Sequence, residues 1–140
     1  MEKVVCYVGG RAKDNKGAAA VGVYITDAAG VFINEVGQSI GNATDTFATY
    51  YSVMLCLQTL QSIYGSQSKT MVFELCLDNE MVKQQLNNEL PINDPGSVPM
   101  FIEIHNMRVV SFPNIIFSYI QPTDNQEVTR LVAEVLDGKN

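Results

Sequence analysis

Residues 4–36 read VVCYVGGRAKDNKGAAAVGVYITDAAGVFINEV. The apolar run 4–8 at the start of this stretch predicts a buried strand, which the glycine pair 9–10 is expected to end. Residues 20–26 and 31–36 are rich in β-branched side chains and are separated by a short segment that ends in glycine. Two such runs around a short turn are typical of a hairpin. The chain is therefore predicted to open with three antiparallel strands.

A long helix is predicted next, over residues 44–64. Aromatic and aliphatic side chains recur there at helical spacing, with Thr44 or Asp45 available as the N-cap and Gly65 as the stop. The segment is apolar around much of its circumference, so this helix is expected to be central and well buried.

The following apolar run, residues 71–77, predicts a second buried strand. Asp78 or Asn79 is then placed to cap a short helix. The inward face of that helix is predicted to consist of Met81, Val82 and Leu86.

The last third of the chain predicts a loop at 91–96, a helix at 98–110, a strand at 115–120 and an amphipathic helix at 128–136. Strands joined by helical crossovers are usually parallel, whereas strands joined as hairpins are antiparallel. The predicted fold class is therefore α/β, with a five-stranded mixed sheet, three antiparallel strands and then two parallel ones, flanked by helices.

Composition limits the class of protein. A chain of 140 residues with 46% hydrophobic and 17% charged residues predicts one globular domain over residues 1–140. No apolar run approaches the roughly 20 residues that cross a bilayer, so no membrane association is predicted and a cytoplasmic location is expected. The net charge of -6 disfavours tight nucleic-acid binding. Three cysteines in apolar segments are expected to be buried and reduced: Cys6, Cys56 and Cys76.

Four short motifs at the ends of these elements resemble those of type 1 ribonuclease H, in the ribonuclease H-like superfamily. YVGGRA with NKG at 7–17 resembles the first-strand motif, in which an Asp precedes the glycine. TDTFATY at 44–50 resembles the helix-start motif Thr-Asn-Asn-x-Ala-Glu-Tyr. LDNEMVKQQL at 77–86 resembles the Ser-Asp-Ser motif, and PTDNQEVTRLV at 122–132 resembles Asn-x-x-Ala-Asp-x-Leu-Ala. The resemblance covers nearly the whole chain and implies the ribonuclease H-like fold.

The resemblance implies a divergent member that lacks three of the four catalytic carboxylates. Enzymes of the family hydrolyse RNA in RNA/DNA hybrids with four carboxylates that hold two magnesium ions. Three of those positions are occupied here by Gly9, Thr49 and Thr129, and Asp78 is the sole remnant. The resemblance therefore implies a pseudoenzyme with no metal or other cofactor.

A working enzyme with a rearranged metal site is the alternative. Asp45, Asp124 or Glu127 would then join Asp78 around magnesium or manganese, in an endonuclease that cleaves RNA in RNA/DNA hybrids. Acidic residues at helix starts are also explained by capping or by the helix dipole, without any metal.

Residual nucleic-acid binding would depend on the turn after the first strand. Arg11, Lys13 and Lys16 are three of the nine basic residues, and Asn15 and Thr44 are polar positions of the family motifs. A solvated hairpin tip is the alternative for this turn, because an acidic residue lies in its middle and no aromatic residue is available for stacking. Binding of nucleic acid is expected to be weak or lost.

A protein partner or a homodimer is the other possibility. The predicted helix at 98–110 carries Ile102 and Val109 on the side away from its core face, and the neighbours Tyr50 and Tyr51 point in different directions. The sequence thus predicts a ribonuclease H homologue without catalysis, retained as a binding or interaction module for nucleic acid or a protein partner.

Overall fold

A mixed sheet of five strands forms the centre of the computed structural model, which describes residues 2–138. The nine main elements, in chain order, are β1 (Lys3–Ala12), β2 (Ala18–Asp27), β3 (Phe32–Asn42), α1 (Asp45–Tyr64), β4 (Val72–Leu77), α2 (Glu80–Leu86), α3 (Val98–Ser111), β5 (Ile115–Tyr119) and α4 (Gln126–Leu136). The strand order is β3-β2-β1-β4-β5. β1 pairs antiparallel with β2, as does β2 with β3, whereas β1–β4 and β4–β5 are parallel. The predicted fold class is confirmed.

β1 does not end at the glycine pair, so the predicted break is wrong. Its pairing with β2 continues through Gly9 and Gly10 to Ala12, opposite Ala19. The glycines are explained by close packing: a Cβ built on Gly10 would lie 2.6 Å from the backbone carbonyl carbon and oxygen of Ala48. Glycine at this position lets α1 approach the strand.

β3 is longer than predicted and runs to Asn42 rather than to residue 36. It lies at the edge of the sheet, and none of its side chains is fully buried. An edge strand does not require an alternating apolar pattern, so the polar and glycine-rich half was missed.

The helix termini follow the expected chemistry. Thr44 is the N-cap of α1, where its Oγ1 accepts a hydrogen bond from the amide of Phe47 at 3.0 Å, and Gly65 at φ 55° ends the helix. Asn79 caps α2 by accepting from the amide of Val82 at 3.0 Å. Met81 does not lie on the inward face, contrary to prediction: it is 41% exposed, because the buried side chains of this short helix are three and four residues apart on its other side.

The main core lies between the sheet and helices α1, α2 and α3. Tyr50 is fully buried there and donates its hydroxyl hydrogen to Gln85 Oε1, while the half-buried Tyr51 accepts from Gln38 Nε2 at 2.9 Å. The three cysteines are free and buried, as predicted, and burial raises the pKa of Cys76 to about 12.

The opposite face of the sheet is covered by α4, which packs mainly against β2 and β3. On α3, Ile102 and Val109 are 53% and 68% exposed, as predicted for the second face of that helix. Within residues 2–138 no helix is both long enough and apolar enough to span a membrane.

Candidate active-site cavity

A cavity of about 200 Å³ lies where β1, α1, α4 and the end of β4 meet. The four positions selected by the family motifs all line it: Gly9, Thr49, Asp78 and Thr129. They come from β1, α1, α4 and the residue that follows β4, so the fold brings together residues up to 120 positions apart in sequence. Asp78 follows β4 directly and is half-buried.

The two threonines direct their hydroxyl groups into their own helices. Thr49 Oγ1 donates to the carbonyl of Asp45 at 3.0 Å, and Thr129 Oγ1 donates to the carbonyl of Asn125 at 3.0 Å. Such bonds to the carbonyl four residues earlier satisfy a hydroxyl locally. The threonines therefore add no negative charge to the cavity.

Asn125 holds Asp78 in place and was not predicted as a site residue. Its Nδ2 donates to Asp78 Oδ2 at 3.2 Å and to the carbonyl of Val8 at 3.1 Å. Asn125 is 1% exposed, and its Oδ1 accepts no hydrogen bond among the described residues. The only sequence signal for it was its position at the start of the last motif, immediately before α4.

Val128 packs closely against Gly9. A Cβ built on Gly9 would lie 3.0 Å from Val128 Cγ1, 3.4 Å from Asn125 Nδ2 and 3.8 Å from Asp78 Oδ1. A side chain at position 9 would thus begin next to Asp78 but would press on the valine methyl group. Val128 stands where the family motif usually has alanine, so the bulkier side chain and the glycine fit each other.

Asp45 is the second carboxylate of the cavity. Its Oδ1 accepts a hydrogen bond from the amide of Ala12 at 2.7 Å, which ties the first turn of α1 to the end of β1. A carboxylate at this position also interacts favourably with the helix dipole.

The other acids considered for a rearranged site lie elsewhere. Asp124 and Glu127 line a separate cavity that shares no residue with this one, and Glu127 pairs with Arg130 at 3.0 Å. In the described part of the chain, no three His, Cys, Asp or Glu side chains are grouped so that they could hold a metal ion.

The five residues considered for nucleic-acid binding lie near the end of β1, and only Arg11 lines the cavity. Lys13, Asn15 and Lys16 are exposed on the turn that follows β1. The amide of Ala43 donates to the carbonyl of Gly17 at 3.1 Å, which places this turn beside the residue that precedes α1, Thr44. None of the three basic side chains forms an ion pair within residues 2–138.

Comparison with known proteins agrees with this architecture. The family model described as Reverse transcriptase-like matches residues 8–135. The chain belongs to this family. It is a homologue of ribonuclease H1: LC11-RNase H1, isolated from compost by a metagenomic approach, shares 30% identity and a TM-score of 0.93, over 99% of this chain and 98% of that one.

Two further relatives support the assignment. A structure of LC11-RNase H1 in complex with an RNA/DNA hybrid matches 96% of this ribonuclease H homologue and 97% of that chain, with 28% identity and a TM-score of 0.93. Ribonuclease HI of the archaeon Halobacterium salinarum is 26% identical over 135 residues, which are 96% of this chain. The match spans 65% of that curated relative's length.

Proposed function

We propose that this ribonuclease H homologue does not hydrolyse RNA/DNA hybrids and acts as a binding module. The observation that carries the proposal is the packing of Val128 Cγ1 against Gly9, 3.0 Å from where a Cβ would stand. A methyl group crowds the space in which the family's first carboxylate would start. The cavity is thereby adapted to the missing side chain.

The donor set around Asp78 does not fit two magnesium ions. Magnesium prefers several hard oxygen ligands, and a two-metal mechanism needs carboxylates that neutralise and bridge both ions. Here Thr49 and Thr129 are neutral and bonded to their own helices, and one oxygen of Asp78 accepts from Asn125. We therefore expect this cavity to hold no metal cofactor.

One observation favours the second candidate, a magnesium- or manganese-dependent endonuclease with a rearranged site. Asp45 and Asp78 line the same cavity, so two carboxylates face it from different elements. Asp45 is, however, already engaged with the amide of Ala12.

Metal titration and cleavage separate the two candidates. Isothermal titration of magnesium or manganese is expected to give the same heats for the protein and for Asp78→Asn, because neither binds metal in the cavity. An RNA/DNA hybrid is expected to stay intact in the same samples. The second candidate would replace the first if metal binding and cleavage above background were both abolished by Asp78→Asn.

For the partner, we propose weak contact with a nucleic-acid backbone through the turn at residues 13–17. Its support is the sequence proximity of exposed Lys13 and Lys16 to Arg11, which lines the cavity, together with the relative that was solved with an RNA/DNA hybrid. Exposed basic side chains that displace condensed counterions give binding that weakens steeply with salt.

Replacing one of these lysines is expected to weaken binding and to lower its salt dependence. Lys13→Ala should reduce the slope of log K against log salt by about 0.9 for duplex substrates, as for one lost phosphate contact. Fluorescence anisotropy of a labelled hybrid at several salt concentrations measures this. Lys69→Ala, which removes an exposed lysine from a different turn, is the matched control. Equal slopes for both variants would refute the assignment.

A further inference from the structure

A second cavity, of about 410 Å³, lies on the face of the sheet that carries α4. It is lined by Tyr7 and Tyr24 from adjacent strands and by residues 123–127 before and at the start of α4. It shares no residue with the active-site cavity, so what it binds does not depend on whether hydrolysis is lost. Its volume lies in the range of pockets that take a small molecule or a whole side chain.

The walls of this cavity are aromatic and acidic. The rings of Tyr7 and Tyr24 lie 6.5 Å apart, and both side chains are half-buried. Asp124 and Glu127 also line the cavity, and no lysine or arginine is among the lining residues. Aromatic faces and carboxylates together attract a planar cation.

The charge around the cavity is negative even when the chain's own cation is included. Arg130 pairs with Glu35 at 2.7 Å, Glu127 at 3.0 Å and Glu134 at 3.1 Å, so three carboxylates surround one guanidinium. Asp124 is exposed and forms no ion pair within the described range. An external cation is therefore attracted to this region.

A buried amide holds the acidic segment of this cavity in place. Asn125 lines the cavity and is 1% exposed, and its Oδ1 accepts no hydrogen bond from residues 2–138. Both N–H groups of the amide are directed to Val8 and Asp78, which do not line the cavity. These two hydrogen bonds fix the segment before α4, which carries Asp124, to β1 and to the residue that follows β4.

The surface beside the cavity is apolar. Phe32 packs against Tyr24 with ring centroids 5.5 Å apart and is 51% exposed, and its neighbour Val31 is 61% exposed. A free amino acid would leave this surface uncovered, whereas a polypeptide could cover it. We propose that the cavity receives an arginine side chain from a basic, partly apolar segment of a partner protein. The guanidinium meets the carboxylates and tyrosine rings, and flanking apolar residues contact Phe32.

Titration with a designed peptide tests this assignment. Acetyl-Gly-Leu-Arg-Leu-Gly-amide is added to the ¹⁵N-labelled protein, and its citrulline counterpart, which is neutral and of the same shape, serves as the control. Amide shifts are expected around Tyr7, Tyr24 and residues 123–127 with the arginine peptide only. No binding at millimolar concentration, or equal binding of the citrulline peptide, would overturn the proposal.

Two pairs of measurements distinguish docking of a peptide from general electrostatic attraction and from binding of a small molecule. Asp124→Asn is expected to raise the Kd for the peptide at least about fivefold. Glu103→Gln, an equal charge change at an exposed position of α3, should leave the Kd within about twofold. Phe32→Ser should weaken the peptide but not acetyl-arginine amide. Equal effects of the two charge variants, or equal affinities of the peptide and acetyl-arginine amide, would overturn the docking site.

Discussion

Hydrolysis of an RNA/DNA hybrid is expected to appear when Gly9→Asp, Thr49→Glu, Val128→Ala and Thr129→Asp are combined. The four positions that the family uses already line one cavity with Asp78, so the backbone geometry for the carboxylates is in place. Val128→Ala is included because the Cβ of a side chain at position 9 would lie 3.0 Å from the valine methyl group. Magnesium-dependent cleavage should rise at least about 100-fold above the parent, the scale of one catalytic group.

The same variant is expected to be less stable than the parent without magnesium and to be stabilised by magnesium. Four clustered carboxylates repel one another, and Thr49 is 3% exposed, so a carboxylate there is also desolvated. The melting temperature without magnesium should fall below that of the parent and should rise when magnesium is added, because the ion binds only the folded state. Circular dichroism measures both.

Two outcomes would contradict this expectation. One is a folded variant whose melting temperature does not respond to magnesium. The other is cleavage that persists after Asp78→Asn is added, since every two-metal arrangement in this cavity includes that carboxylate.

The largest loss of stability is expected for Gly10→Ala. The added methyl group would lie 2.6 Å from the carbonyl of Ala48 and 2.7 Å from its Cβ, and neither a helix backbone nor a buried alanine can rotate away. Overpacking of this kind costs roughly 1–3 kcal/mol or more. We expect the melting temperature to fall by about 10 °C, which corresponds to the upper part of that range in a domain of this size.

Gly96→Ala is the matched control. The Cβ at position 96 would meet only Asp94 Oδ1 at 3.5 Å, an ordinary contact. Its melting temperature should stay within about 3 °C of the parent, the scale of a substitution without overpacking. Similar losses in the two variants would mean that glycine flexibility, and not the approach of α1 to β1, explains Gly10.

Local patterns were sufficient for much of the fold. The periodic apolar positions, the Thr44 cap and the Gly65 stop identified α1, and the hairpin and crossover rules gave the correct mixture of antiparallel and parallel strands. The glycine pair in β1 was misinterpreted because a glycine that permits close packing and a glycine that makes a turn are identical in sequence. Only the position of Ala48, 38 residues further on, distinguishes them.

The candidate site was likewise predictable only in part. The family motifs selected four positions for one site, and the structure places them around one cavity: Gly9, Thr49, Asp78 and Thr129. The contacts between side chains in and around the cavity were not predictable from the sequence. The bond from Asn125 to Asp78 joins residues 47 positions apart, and the fit of Val128 to Gly9 depends on how closely α4 approaches the sheet.

Under the proposed function, the fit between Gly9 and Val128 is expected to make a carboxylate at position 9 hard to gain by single substitutions. Gly9→Asp alone is pressed by the valine methyl group, and Val128→Ala alone leaves a void beneath α4. Each single change is expected to be unfavourable, and the pair is expected to cost less than the sum of the two, which is non-additivity between residues in contact. We expect such epistasis to keep position 9 without a carboxylate under selection for a stable fold alone.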